Sequence, residues 1–398
     1  MEATDERASV TQLELFFDLV FVFALTQITD LMGHETPVPV GALLRGALVL
    51  GVLWWCWVGW SWLCNLVKAD EGVIRVAMFG AMGAMFVIAI AIPEAFDDKP
   101  GGLDAPVVFA VCYFALRALH VGMFLLVSRD DPALRRQVIL FSFSMLAGTF
   151  LLLLASQTTG TTQILLWIAA LVADYGGTLM AGVNWRLGSA SHFAERHGLI
   201  IIVALGESIV ATGIGIAQLP ITLPIVVAVL LGLAVSGALW WAYFDVTALI
   251  TERALAAAEG VAQIRLARGG YTFLHFPMIV GIIMMALGLK KAIGYVAGGD
   301  GHVLSDPLYG VPLVALYGGA ALYLLAHVGF KFEMVRSLSV PRIIVVALLV
   351  ALIPVAANLP ALASLAVLAA VLCALIGYET YRYAEMRRQI RHEEHGQQ

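Results

Sequence analysis

The residues of this chain best able to do chemistry are acids and bases set inside long apolar runs. Glu14 and Asp18 stand four apart, so on a helix they share a face. Two carboxylates side by side are costly when both are ionised, unless a proton or cation joins them. Asp18 therefore reads either as a proton or cation site or as part of an acidic first turn stabilised by the helix N-terminus, and Glu14 reads as the latter. Glu195, Arg196 and His197 open a later run and would form, with Glu14, a polar network at the same membrane face. Glu207, between Gly206 and Ser208, lies about three helical turns beyond Arg196. An acid this deep is expected to bind an ion or substrate, and Gly206 would let a neighbouring helix come close. Arg117 sits inside another run with His120 one turn on, and needs a counter-charge from Asp174, Glu207 or Asp18. A pair with Asp174 is the simplest. His275 precedes Pro277 by two residues, and a proline there frees backbone carbonyls beside a titratable ring.

Elements that could hold such groups must tolerate a strongly apolar setting. Of 398 residues, 61% are hydrophobic and only 13% charged, with a mean hydropathy of +0.91. Soluble domains run near a quarter charged, so the bilayer is the solvent that fits. Runs long enough to cross it fall at 13–33, 40–66, 72–93, 104–128, 136–156, 161–182, 198–218, 222–248, 269–291, 306–329, 338–358 and 361–382. The expected fold is all-α, a polytopic membrane bundle of about twelve helices. The start, MEATDERASV, is acidic and lacks the features of a cleaved signal, so the first run should remain as a span. Counting spans this way puts 18 of the 23 Lys and Arg, from Arg7 to Arg387, Arg388 and Arg391, on one side. That side is then cytoplasmic, with both termini on it. The connection 250–268 suits an interfacial helix or an extension of the eighth span. The four cysteines fall in apolar runs without a close pair and read as buried thiols.

The halves look alike. Gly51-Val52-Leu53-Trp54-Trp55 is answered by Gly237-Ala238-Leu239-Trp240-Trp241, His120-Val121-Gly122 by His327-Val328-Gly329, and Arg136 by Arg342. The common order points to two parallel six-helix repeats, 1–183 and 184–398, with substrate sites expected between them at mid-depth. The run Trp54, Trp55, Trp57, Trp60 and Trp62 reads as packing or an interface belt, and less readily as an aromatic substrate wall.

Two segments resemble a known family. Leu13-Glu14-Leu15-Phe16-Phe17-Asp18-Leu19-Val20-Phe21, running on to Gln27, and His192-Phe193-Ala194-Glu195-Arg196-His197-Gly198, running on to Leu205-Gly206-Glu207-Ser208, are similar to those of the bacterial low temperature requirement protein A family. Tyr271, His275, Pro277 and Gly281 fit it too. The resemblance implies a multi-pass protein of the bacterial plasma membrane, linked by name to growth in the cold, and no particular activity.

No Walker sequence, dinucleotide-binding glycine pattern or zinc-protease motif occurs, so ATP-driven pumping by this chain is not expected. Nothing calls for a cofactor or a metal, and nothing suggests nucleic acid. The repeated His120 and His327 would suit a haem only with further cues that are missing. The partners expected are membrane lipids and a small-molecule or ion substrate. The leading expectation is an ion- or proton-coupled transporter using Asp18, Glu207, Arg117, Asp174 and His275. A membrane-embedded enzyme acting on lipids or isoprenoids is weaker, as is an ion channel or scaffold.

Overall fold

Thr11 sets the start of the first helix. Its hydroxyl accepts the Glu14 N–H, and the Glu14 carboxylate accepts the Thr11 N–H at 2.9 Å, a reciprocal cap. Asp104 and Asp131 start two later helices similarly, each accepting N–H groups of the next turn, with a proline in that turn. Chiefly the Leu134 N–H, with Arg186 at 3.0 Å, holds the Asp131 carboxyl below its usual range.

The computed structural model describes residues 9–180, 182, 184–216 and 220–384. Arg7, Arg387, Arg388 and Arg391, which entered the charge count, lie outside the described residues. The helices are α1 (Gln12–Gly33), α2 (Val40–Leu66), α3 (Gly72–Ala91), α4 (Ala105–Val127), α5 (Pro132–Ala155), α6 (Gly160–Met180) and α7 (Ala190–Ile216). They continue as α8 (Leu223–Phe244), α9 (Thr247–Ala257), α10 (Gly260–Leu266), α11 (Leu274–Val296), α12 (Val311–Val335), α13 (Val340–Ala356) and α14 (Ala361–Arg382). The twelve runs foreseen from sequence each match one long helix. Among the described residues, ten helical segments are long and apolar enough to cross a membrane, and α13 is apolar but shorter.

Two boundaries moved. The α7 helix starts eight residues before the expected span, so His192 to Arg196 lie on it. The 250–268 connection is neither a single interfacial helix nor a plain extension of α8. A turn at Asp245 and Val246 sets off α9, and Ala258 and Glu259 separate α9 from α10, which opens on Gly260 at φ 54°.

Two compact units form. One runs to Val203 and takes in Ala258–Arg268, and the other comprises Ala204–Ala257 and the chain from Gly269. In the first, α1 packs on α2 and α3, α2 on α4 and α6, and α3 to α6 pack in succession. In the second, α8 packs on α12 and α14, and α11 to α14 pack in succession. The pairings α2–α4, α2–α6, α3–α4, α4–α5 and α5–α6 thus recur in order as α8–α12, α8–α14, α11–α12, α12–α13 and α13–α14.

Large apolar side chains face outward, among them Phe143, Phe150, Leu230 and Ile344. Hydrocarbon outside the bundle makes that arrangement favourable, and helices satisfy their backbone groups internally. Inside, α2 buries Trp54, Trp57 and Trp60 completely, so these rings are core rather than a belt. In the second unit α11 and α12 meet backbone to backbone. A Cβ on Gly319 would lie 2.5 Å from the Met285 nitrogen, and one on Gly281 would lie 2.6 Å from the Gly319 carbonyl oxygen.

Backbone cannot yield as a side chain can, so Gly319→Val should separate α11 from α12. The expected outcome is a loss of about 1–3 kcal/mol or more in a reversible unfolding measurement in detergent micelles. Gly206→Ala, where a Cβ meets nothing within 4 Å, should leave stability unchanged. Among the described residues no neighbour comes as close to Gly206 as the sequence led one to expect.

Candidate functional site

Four residues on two helices meet in the first unit. Glu14 and Asp18 are one turn apart on α1, and His192 and Arg196 are one turn apart on α7. All four are buried. The Arg196 guanidinium donates to Asp18 at 3.0 Å and lies 3.6 Å from Glu14. His192 Nε2 lies 3.1 Å from Glu14. The other Asp18 oxygen accepts the Trp57 indole N–H at 2.8 Å, and the Trp57 ring lies 5.3 Å from the Arg196 guanidinium carbon.

Asn65, at the end of α2, fixes the histidine. Its Oδ1 accepts the Gly188 N–H at 2.7 Å, which leaves its NH₂ to donate to the Ser189 carbonyl and to His192 Nδ1. Nδ1 is then an acceptor, so in the neutral ring Nε2 carries the hydrogen and donates it to Glu14. Gly188 is required here, because a Cβ would lie 2.1 Å from the Asn65 carbonyl oxygen.

With His192 neutral, two ionised carboxylates face one guanidinium, leaving one negative charge uncompensated. A cavity of about 390 Å³ reaches this cluster between α1 and α7, with Asp18 in its wall beside Gln12, Leu15, Phe16 and Leu199. One proton or one monovalent cation would balance the charge. Glu195 does not join the cluster. It is exposed and accepts the Val10 N–H. His197 is buried, lies 2.8 Å from the Phe193 carbonyl through Nδ1, and meets the Trp57 ring edge-on.

Arg117 and Asp174 do meet, as the simplest reading expected. Arg117 Nη2 lies 3.4 Å from Asp174, Tyr113 donates its hydroxyl to the other carboxylate oxygen, and Phe141 faces the guanidinium at 4.7 Å. Here one cation faces one anion, and the charge closes. Nearby, His120 sits among Trp60, Phe124 and Phe141 against Gly59, where a Cβ would come within 2.9 Å of its ring.

Glu207 and His275 belong to the second unit. Glu207 is fully buried, and the adjoining Ser208 hydroxyl lies 2.7 Å from that of Ser236. His275 Nδ1 lies 3.2 Å from the Gly270 carbonyl and Nε2 lies 2.8 Å from the Tyr243 hydroxyl. A carbonyl only accepts, so Nδ1 carries the hydrogen and Tyr243 donates to Nε2. Gly270 lies in the π-helical stretch Ala267–Phe273 ahead of Pro277, so the carbonyl His275 meets is seven residues before the proline and not one that the proline frees. The same unit holds a two-pronged pair, Arg342 to Glu379 at 2.8 and 2.9 Å, with His327 against the guanidinium.

Sequence reasoning had not assigned roles to Trp57, Asn65, His192, Tyr113, Tyr243 or Glu379. The His192-to-Arg196 spacing, four residues like Glu14 to Asp18, was the available signal for His192. Nothing local marks the others.

The sequence model for the bacterial low temperature requirement A protein (LtrA) matches residues 9–377, and the chain belongs to that family. It is 29% identical over 360 residues to an uncharacterized protein of Rhizobium meliloti (strain 1021), covering 87% of this chain and 83% of that one. No solved structure matches.

Because the Arg117–Asp174 pair is balanced and sealed, breaking it should act on folding. Arg117→Met or Asp174→Asn alone is expected to destabilise by about 3–5 kcal/mol, by stranding one buried charge. The double variant should recover much of that loss, as read by a double-mutant cycle in detergent.

Proposed function

We propose that this member of the LtrA family is an ion- or proton-coupled transporter of the bacterial plasma membrane, with its coupling site at Glu14, Asp18, His192 and Arg196. The observation that carries the reading is the imbalance of charge. Two carboxylates share one guanidinium beside a cavity, buried where leaving a charge uncompensated is expensive. Such a site favours taking up one positive charge and can release it when the surroundings of Asp18 change. Trp57 and Arg196 hold Asp18 in place, and Asn65 holds His192 toward Glu14.

Two further features support a carrier. The helix pairings recur in the same order in the two units, in keeping with parallel repeats 1–183 and 184–398. The basic residues favour one side, in keeping with cytoplasmic termini. Glu207 is a second buried acid for the same role. His275 has both ring nitrogens engaged, and Arg117 and Asp174 answer each other's charge, so these groups serve to position rather than to exchange charge.

Proteoliposomes carrying the full chain should show proton or sodium flux that Asp18→Asn and Glu14→Gln each lower by about tenfold or more, across several pH values. Folded Glu195→Gln protein should transport as wild type does, since Glu195 stands outside the cluster. Wild-type flux in Asp18→Asn would sink the coupling role. Product formation from membrane lipid by the purified protein, lost in Asp18→Asn, would favour an enzyme. Non-saturating currents in bilayers would favour a channel.

A further inference from the structure

In the second unit, α13 and α14 pack together but leave a cleft open along one edge. Between them runs an open groove of about 630 Å³, lined by Val340, Ile344 and Leu348 on one side and Val371, Leu375 and Tyr378 on the other. Val340, Ile344, Leu348 and Tyr378 are exposed. From Val340 to Leu348 the groove extends roughly 12 Å along the helix.

At the end where α12 stops and α13 begins, a second cavity of about 280 Å³ adjoins this groove, and Tyr383 lines both. Its character is polar. Lys331, Arg342, Ser339, Thr247, Asp245 and Glu379 are among the residues that line it. The Arg342 charge is answered there by Glu379. Lys331 is half-buried, and no hydrogen bond or ion pair joins it to any described residue. Arg382, in the groove wall, makes no ion pair with a described residue either, and rests against Tyr383.

We infer that this place binds an anionic phospholipid, with its phosphate at Lys331 beside Ser339 and its acyl chain in the groove between α13 and α14. Two cations without ion-pair partners among the described residues, at the mouth of an apolar groove, ask for a molecule that is anionic at one end and hydrocarbon at the other. A soluble anion would answer Lys331 and leave the groove unfilled. A neutral lipid would fill the groove and leave Lys331 and Arg382 unanswered. The lipid's phosphate would sit where the helix ends meet the headgroup region, and the N-terminal end of α13 adds its own partial positive charge. The site is independent of the Glu14–Asp18 cluster and stands whether or not that cluster couples transport.

The test is native mass spectrometry of the full chain in detergent, titrated separately with phosphatidylglycerol, phosphatidylcholine and inorganic phosphate. Phosphatidylglycerol is expected to bind best. Lys331→Gln and Arg382→Gln should each weaken it by roughly fivefold, and Lys331→Arg should restore it. Ile344→Trp, which fills the groove and spares every charge, should weaken it as well. A thermal melt confirms that each variant folds. Equal binding of phosphatidylcholine, or retention of phosphatidylglycerol by a folded Lys331→Gln/Arg382→Gln double variant, would overturn the proposal. So would inorganic phosphate binding as tightly as the lipid, with Ile344→Trp without effect.

Discussion

A single guanidinium, that of Arg196, faces two carboxylates at once, and much of the first unit is arranged around it. In a medium of low dielectric an ion pair is strong, but desolvating its members costs several kcal/mol per ion, so only good geometry with further hydrogen bonds keeps such a group buried. Each neighbour meets part of that need. The reciprocal cap at Thr11 fixes where α1 begins, and with it the positions of Glu14 and Asp18. Asn65 grips Gly188 and Ser189 just ahead of α7, which sets the register that brings His192 and Arg196 opposite the acids. Trp57 covers the guanidinium with its ring and bonds Asp18 with its N–H. Two faces with one-turn spacing thus meet, acid on one helix and base on the other.

The buried charges of this protein differ in whether they close. Arg117 with Asp174 closes, and so does Arg342 with Glu379, each with added neighbours that tighten the geometry. A closed pair resists change, because moving a proton or ion there would strand a charge. The Glu14–Asp18–Arg196 group does not close while His192 is neutral. A proton or a cation would close it, and Asp18 lines a cavity that reaches it. Chemistry is therefore more readily assigned to the open cluster than to the closed pairs.

The fold was largely legible in the sequence. Apolar runs are local signals, and they marked the helices to within about six residues except at the start of α7. The Arg117–Asp174 pair was also legible, because an arginine inside a span leaves few candidates for its counter-charge. Trp57, Asn65 and Glu379 were not, since each acts on a partner far along the chain and carries no mark of it locally. The matched histidines show a further limit of pattern reading. His120 is packed among aromatic rings against Gly59, whereas His327 lies against Arg342. Equal positions in a sequence pattern have received unequal chemistry.

Packing within the second unit shows why a lipid would enter at α13 and α14 and not elsewhere along it. Lipid tails are as apolar as leucine, so helices in a membrane hold together through close contact and shape rather than through escape from water. The pair α11 and α12 uses this fully: Gly281, Gly288 and Gly319 let the backbones touch, and no tail could compete for that seam. Along α13 the side chains are bulky and branched, Val340, Ile344 and Val345, and they line a gap against α14. A gap lined with hydrocarbon gains dispersion contacts when a chain of hydrocarbon fills it. The charge at its end then decides which amphiphile is held, so the glycines that seal one seam and the branched residues that open the other together confine the lipid to one address.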